Sequence, residues 1–176
     1  MSRNIEIKAH YADPDRALEV VERLDCEYEG TDHQIDTFFE VAAGRMKLRE
    51  SSLHGASLIP YLRENKAAPR ASEYAVIPIS DVEKVKPLLE RILGVAAIVE
   101  KERRIYHYQN VRIHLDRVKH LGTFIEFEAV INEDTTDEQG QELIRFLMDR
   151  FGIEPNDLVG EAYVDLLKNP EQKRSS

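Results

Sequence analysis

Apolar and polar residues alternate with a period of two along much of this chain, which marks strands with one covered and one polar face. The first such segment, Asn4-Ile5-Glu6-Ile7-Lys8, puts Asn4, Glu6 and Lys8 on one side and Ile5 and Ile7 on the other. A second strand is expected from about His33 to Glu40. Gly44 then turns the chain into Arg45-Met46-Lys47-Leu48-Arg49, where three cations oppose Met46 and Leu48. After a polar loop with Ser51, Ser52 and Gly55, a fourth strand runs from Ala56 to Arg63 and a fifth from about Ser72 to Pro78. Lys66 to Ala71, with Pro69, reads as a mobile loop between them. Three further strands cover roughly Ala97–Tyr108, Val111–Val118 and Gly122–Ile131.

Helical spacing interrupts this pattern. Asp13-Pro14 supplies an N-cap followed by proline at the first helical position, and Ala17, Val20, Val21 and Leu24 carry the spacing to about Asp25. Ser80 and Glu83 have capping-box spacing ahead of an amphipathic helix with Val82, Val85, Leu88, Leu89 and Ile92, stopped by Gly94. A third helix starts near Thr136, buries Leu143, Ile144, Leu147 and Phe151, and ends at Gly152. A short fourth takes in Tyr163, Leu166 and Leu167. Eight strands joined by short turns or single helices form a mostly antiparallel sheet, and eight suffice to close a barrel around a ligand-sized interior. The expected fold is α+β: one domain over 1–168, an eight-stranded closed barrel with helices outside, then a flexible tail, 169–176.

Composition narrows the function classes. A chain of 176 residues, 42% hydrophobic and 32% charged, describes one soluble globular domain with a real core. No apolar run approaches the ~20 residues of a membrane span. The start, Met1-Ser2-Arg3-Asn4, lacks the apolar core of a signal peptide, so a cytoplasmic protein without a membrane partner is expected. Cys26 is the only cysteine, which excludes an internal disulfide and a multi-cysteine metal site; it reads as a small packing residue. The net charge of -9 argues against a general nucleic-acid binder but not against a local cationic pocket.

The polar faces carry the chemistry. They present Asn4, Glu6 and Lys8; Arg45, Lys47 and Arg49; Arg63 beside Tyr61 and Ile59; Lys101 and Arg103; Arg112, His114 and Asp116; and Phe124, Glu126 and Glu128. Acids concentrate in the terminal strands and bases in the middle ones, whereas a solvated face more often interleaves signs across strands. If the helices cover an apolar exterior, these faces point inward. Converging lysines and arginines then need a polyanion, and a triphosphate fits: arginine forks bind phosphate oxygens in pairs and lysines act as point charges. Clustered carboxylates would hold Mg²⁺ or Mn²⁺ against those oxygens. P-loop, dinucleotide-binding and serine-elbow motifs are absent. The histidines show no His-x-x-x-His spacing, and His107, His114 and His120 read as structural or surface residues.

Taken in order and spacing, several segments resemble the CYTH proteins, members of the triphosphate tunnel metalloenzymes, and most of all the class IV adenylyl cyclases. They are Asn4-Ile5-Glu6-Ile7-Lys8 for the family's Glu-x-Glu-x-Lys signature, Lys47-Leu48-Arg49, Lys101-Glu102-Arg103 and His114-Leu115-Asp116. Leu121-Gly122-Thr123-Phe124-Ile125-Glu126-Phe127-Glu128 and Tyr163-Val164-Asp165-Leu166-Leu167 complete the set. The resemblance implies an antiparallel tunnel acting on a triphosphate-containing small molecule with a divalent metal. It implies Glu6 and Glu126 as metal ligands, Asp116 and Glu128 as supporting carboxylates, and Glu6, Lys8, Asp116 and Glu126 as the catalytic set. Lys8, Arg49, Arg63, Lys101 and Arg103 form the implied phosphate clamp, with Arg45 and Lys47 beside it and Arg70 on a loop at the mouth. One departure stands out: the first glutamate of the signature is Asn4, an oxygen donor without charge.

Three functions follow as expectations. The first is cyclase-type chemistry, ATP to cyclic AMP and pyrophosphate. The second is hydrolysis of inorganic triphosphate, thiamine triphosphate or a nucleoside triphosphate. The third is a non-catalytic polyphosphate or nucleotide binder, motivated by Asn4. Homodimers are common among class IV cyclases, although no residue here marks an interface.

Overall fold

A computed structural model describes residues 2–63, 65–133 and 135–168 of the chain. The expected tail, 169–176, lies outside the described residues. The elements run β1 (Ser2–His10), α1 (Pro14–Arg23), β2 (Glu27–Phe39), β3 (Arg45–Ser51), β4 (Gly55–Arg63), β5 (Arg70–Tyr74) and β6 (Ile77–Ile79). Then follow α2 (Val82–Leu93), β7 (Val95–Tyr108), β8 (Val111–Val118), β9 (Gly122–Ile131), α3 (Asp137–Phe151) and α4 (Tyr163–Lys168).

The strands pair antiparallel in the order β3-β2-β7-β8-β9-β1-β5-β4, and β3 pairs back onto β4 to close the barrel. β5 and β6 follow one another along the same edge of β4, so they form one broken stave of eight. The alternation expected from the sequence therefore sits on a closed eight-stranded antiparallel barrel. Two register shifts interrupt the β2–β7 ladder: Glu29 is the extra residue on β2 between Tyr28 and Gly30, and Ala96 is the extra residue on β7 opposite Phe38 and Phe39.

Burial of the apolar faces decides which way the charges point. Ile5, Ile7 and Ala9 of β1, Val111 and Ile113 of β8, and Ile125, Phe127 and Ala129 of β9 pack under Ala17, Val20 and Val21 of α1 and Ile144, Leu147 and Phe151 of α3. Each such buried aliphatic or aromatic side chain contributes about 1.5–3 kcal/mol. Gly140 lets α3 approach closely, since a Cβ there would lie 2.8 Å from Ile131 Cδ1. With the outer face of these strands dry, the alternate residues have only the barrel interior to occupy. A second cluster, including Phe38, Val99, Phe124 and Tyr163, joins α4 to one end of the barrel.

Two helix details differ from the sequence pattern. The N-cap of α2 is Asp81, whose carboxylate accepts from Lys84 N, and not Ser80. More consequentially, α2 leaves part of its apolar stripe uncovered: Leu88 and Ile92 are 55% and 72% exposed, while Val82, Val85 and Leu89 are half-buried. The helix contacts β2 and reaches β3 through the Lys86–Glu50 ion pair, a footing too narrow to cover that stripe. Arg70, placed on a loop by the sequence pattern, opens β5 and is buried. Cys26 packs against the main core as expected, and burial lifts its thiol pKa to about 11.

Candidate functional site

The barrel encloses a cavity of about 240 Å³. Among its lining residues are seven cations (Lys8, Lys47, Arg49, Arg63, Lys101, Arg103 and Arg112) and five carboxylates (Glu6, Glu29, Asp36, Glu126 and Glu128), an excess of two positive charges. The period-two rule explains much of the convergence: on β1, β8 and β9 the charged residues sit on the face opposite the helix-covered apolar one, and on β3 Lys47 and Arg49 sit opposite buried Leu48.

Three groupings organise these charges. At the β1 and β5 wall, Glu6 Oε1 accepts from Arg63 Nη1 at 3.1 Å and from Arg70 Nε at 3.3 Å. Arg70 also donates to the carbonyls of Lys66 and Val159, which fixes it in the wall. At the β2 and β3 wall, Asp36 accepts Arg49 Nε and Nη2, both at 2.7 Å, and Lys47 Nζ at 2.9 Å. Burial would raise the Asp36 carboxyl, but Arg49 and Lys47 hold it well below the usual range. Burial, helped by Arg49, brings the Lys47 ammonium down to about 7 against the pull of Asp36.

The third grouping lies where β7, β8 and β9 meet. Arg103 donates Nε and Nη2 to the two oxygens of Asp116, and Nη2 also to Glu126 Oε2, all at 2.6 Å. Burial opposes the charge on Asp116, yet Arg103 and Lys101 keep its pKa near 2, so it stays ionised. Tyr163 from α4 donates its hydroxyl to the same carboxylate at 2.8 Å. The Tyr163 ring lies under Lys8 Nζ, 3.8 Å from the ring centre, and Lys101 Nζ is 4.9 Å away. Lys8 Nζ stands 3.5 Å from Glu126 Oε1 and donates to Glu161 O. Burial brings the Lys8 ammonium down to about 7, with Glu126 pulling it back up and Arg63 and Arg70 pushing it further down.

Of the residues named from the sequence, Glu6, Lys8, Lys47, Arg49, Arg63, Lys101, Arg103, Glu126 and Glu128 line one cavity. Asp116 is buried behind that lining, engaged by Arg103 and Tyr163. Arg45 is turned toward α4, donating to Asp165 at 2.6 Å and Asn65 at 2.9 Å. Asn4 lines the cavity, 3% exposed, and its Oδ1 has no hydrogen-bond partner among the described residues.

Several tunnel residues escaped the sequence reading. Asp36 sits among bases, so the expected segregation of acids from bases is incomplete. Its signal was the spacing Asp32, Gln34, Asp36, obscured because the alternate positions, His33, Ile35 and Thr37, are not uniformly apolar. Arg112 was placed on the polar face but not in the clamp; it pairs with Glu128 at 2.9 Å. His114, set on the polar face of its strand and read as structural or surface, is buried and lines the tunnel.

A divalent cation fits this donor set. His114, Glu126 and Glu128 each present one ligand atom within 4.8 Å of the others, and His114 Nδ1 is a buried polar atom without a hydrogen-bond partner among the described residues. Glu6 and Asp116 are not part of that cluster. Burial and the neighbouring Arg103 lower the His114 pKa, which favours the neutral imidazole.

Comparison with known proteins agrees with this architecture. The family model described as CYTH domain matches residues 2–163. Among solved structures, the PH1012 protein of Pyrococcus horikoshii OT3 superposes with a TM-score of 0.79 at 25% identity, covering 93% of this chain and 98% of that one. A candidate adenylate cyclase from Vibrio parahaemolyticus gives 0.76 at 21% identity, covering 94% and 97%. The Hippeastrum protein HpAC1, a candidate adenylyl cyclase described as having a dominant triphosphatase activity, gives 0.61 at 15% identity, covering 97% and 96%. No curated protein matches the sequence. No helix among the described residues is long and apolar enough to cross a membrane.

Proposed function

This chain belongs to the CYTH domain family, and from that premise we propose that it is a divalent-metal-dependent enzyme acting on a triphosphate drawn into its tunnel. The observation that carries the reading is the closed barrel whose interior gathers seven lysine and arginine side chains against five carboxylates. An excess of positive charge in a low-dielectric enclosure favours a polyanion far more than it would in water. Arg49, Arg63, Arg103 and Arg112 offer forked donors to phosphate oxygens, while Lys8, Lys47 and Lys101 supply point charges. Each cation now rests on a carboxylate or an aromatic ring, so the clamp is held in place before the ligand arrives and little reorganisation is needed.

Carboxylates at the β9 wall, Glu126 and Glu128, are the metal-holding groups in this reading. A bound divalent ion would neutralise charge on the phosphate oxygens as phosphorus is attacked. The chain's own contribution is positional: Lys8 and Arg103 flank Glu126, and Arg63 and Arg70 fix Glu6, so the polyphosphate is oriented along the tunnel axis.

Two reactions fit this mode of binding. In cyclisation the ribose 3′-hydroxyl attacks the α-phosphorus of ATP and pyrophosphate leaves; the resemblance to class IV cyclases supports it. In hydrolysis water attacks a terminal phosphorus. The cavity of about 240 Å³ lies below the roughly 300–1,000 Å³ of pockets that enclose a whole drug-sized ligand, so it suits the polyphosphate itself, and either reaction would leave a nucleoside outside the enclosed part. Incubation with ATP and with inorganic triphosphate, each with Mg²⁺ or Mn²⁺, and chromatographic separation of products decides between them. Cyclic AMP with pyrophosphate establishes the cyclase; ADP or pyrophosphate with inorganic phosphate establishes the triphosphatase. Metal-independent binding without turnover of either substrate would leave a non-catalytic polyphosphate binder and overturn the proposal.

A further inference from the structure

His114 projects from β8 beside the two glutamates of β9, with Glu126 as its register partner. It is 5% exposed, and its Nδ1 has no hydrogen-bond partner among the described residues. Leaving a buried polar atom unmatched carries a free-energy cost, so such an atom in a charged cavity calls for an explanation. Nδ1 lies 3.7 Å from Glu126 Oε2 and 3.8 Å from Glu128 Oε1. Both separations are too long for a hydrogen bond. Two ligand atoms on one cation, each at about 2.0–2.2 Å, stand up to about 4 Å apart, so an ion can join the imidazole to either carboxylate, and the three atoms lie within 4.8 Å of one another. On β1, by contrast, Asn4 brings no charge, and Glu6, whose Oε1 accepts from Arg63 and Arg70, is not among the ligand atoms that gather within 4.8 Å at His114, Glu126 and Glu128.

We infer that the resident cation of this tunnel is held by His114, Glu126 and Glu128, with an imidazole nitrogen as one of its ligands, and that Glu6 is not a ligand. The inference rests on the metal-dependent reading above and fixes which wall carries the ion. It also sets the choice of metal. Mg²⁺ takes oxygen ligands almost exclusively, whereas imidazole favours the first-row transition ions, so this site binds Mn²⁺ more tightly than Mg²⁺. Arg103 on Glu126 Oε2 and Arg112 on Glu128 Oε2 orient the two carboxylates and leave Glu128 Oε1 facing the imidazole.

The test uses the full chain with the metal alone. Mn²⁺ and Mg²⁺ are titrated by calorimetry, and the Mn²⁺ complex is examined by pulsed electron paramagnetic resonance. Hyperfine coupling to one imidazole nitrogen is expected in the wild type. His114→Gln should abolish that coupling and weaken Mn²⁺ by at least about tenfold, the lower bound of what even an outer partner of a metal site costs, while Mg²⁺ changes less. Glu6→Gln should leave the coupling intact. A Mn²⁺ complex without nitrogen coupling, an ion lost on Glu6→Gln but not on His114→Gln, or no Mn²⁺ binding at millimolar metal would each overturn the inference. A wild-type spectrum without nitrogen coupling overturns the inference even if a variant fails to fold, and His54→Gln, which should leave the coupling intact, excludes the other histidine that lines the cavity. Inorganic triphosphate binding, followed by thermal shift on the same protein, separates the two levels. If triphosphate still binds while the nitrogen signal is missing, the metal assignment fails and the triphosphate reading stands; if neither is seen, both fail.

Discussion

Asp36→Asn is the sharpest probe of how this tunnel holds its charges before a ligand arrives. Asp36 is 2% exposed and accepts two bonds from Arg49 and one from Lys47. Substituting the isosteric amide keeps the volume and removes the charge, leaving Arg49 and Lys47 facing each other inside the barrel. Removing one partner of a buried ion pair costs about 3–5 kcal/mol. Lys47 and Arg49 keep 15% and 18% of their side-chain exposure toward the cavity, so the lower end, about 3 kcal/mol, applies. For a chain of this length each kcal/mol moves the melting temperature by roughly 2–4 °C, so a fall of about 6–12 °C is expected. Inorganic triphosphate should raise the melting temperature of the variant by more than it raises that of the wild type, since the anion replaces the missing charge. Adding Arg49→Met to Asp36→Asn should restore at least half the loss, because a pair removed whole costs less than a pair broken. Thermal denaturation by circular dichroism, with and without triphosphate, reads all three. A variant melting within about 1 °C of wild type would refute the claim that Asp36 neutralises a stressed cation pair.

Two further outcomes follow from the same network. Lys47 is held at about 7 in the free protein, and a bound polyanion raises its pKa; its contribution to affinity is then complete below about pH 7 and lost as pH rises through the bound-state value. Calorimetry of triphosphate binding at pH 8 in buffers of different ionisation enthalpy should show proton uptake, reduced in Lys47→Arg, and the absence of uptake would count against the assignment. Asn4→Glu places a second carboxylate two residues from Glu6 on the tunnel face, at a position 3% exposed whose side-chain oxygen lacks a partner. Without metal it should lower the melting temperature by roughly 6–12 °C, the cost of an unmatched buried carboxylate of about 3 kcal/mol, and added Mn²⁺ should raise it by more than it raises the wild type. A Mn²⁺-induced rise no larger than that of the wild type, whose β8–β9 site also takes the ion, would show that the β1 wall cannot carry one even when given the charge.

What the sequence determined by itself is the face each side chain occupies. Period-two alternation in Asn4 to Lys8, Arg45 to Arg49 and Val111 to Val118 fixed which residues share a side, and the helical stripes of α1 and α3 fixed which side is dry. Together these were enough to turn the lysines and arginines inward and to foresee a closed barrel. Pairing decided everything else. Alternation says nothing of which strand lies alongside which, and register depends on hydrogen bonds between residues far apart in the chain. Only the closed sheet brings Asp36 of β2 against Lys47 and Arg49 of β3, and only the β8–β9 register sets His114 opposite Glu126, where an unremarkable histidine becomes an unpartnered nitrogen beside two carboxylates. The exposure of Leu88 and Ile92 on α2 has the same origin: amphipathic spacing announces an apolar stripe, but whether a surface exists to cover it is settled by the packing of the whole molecule.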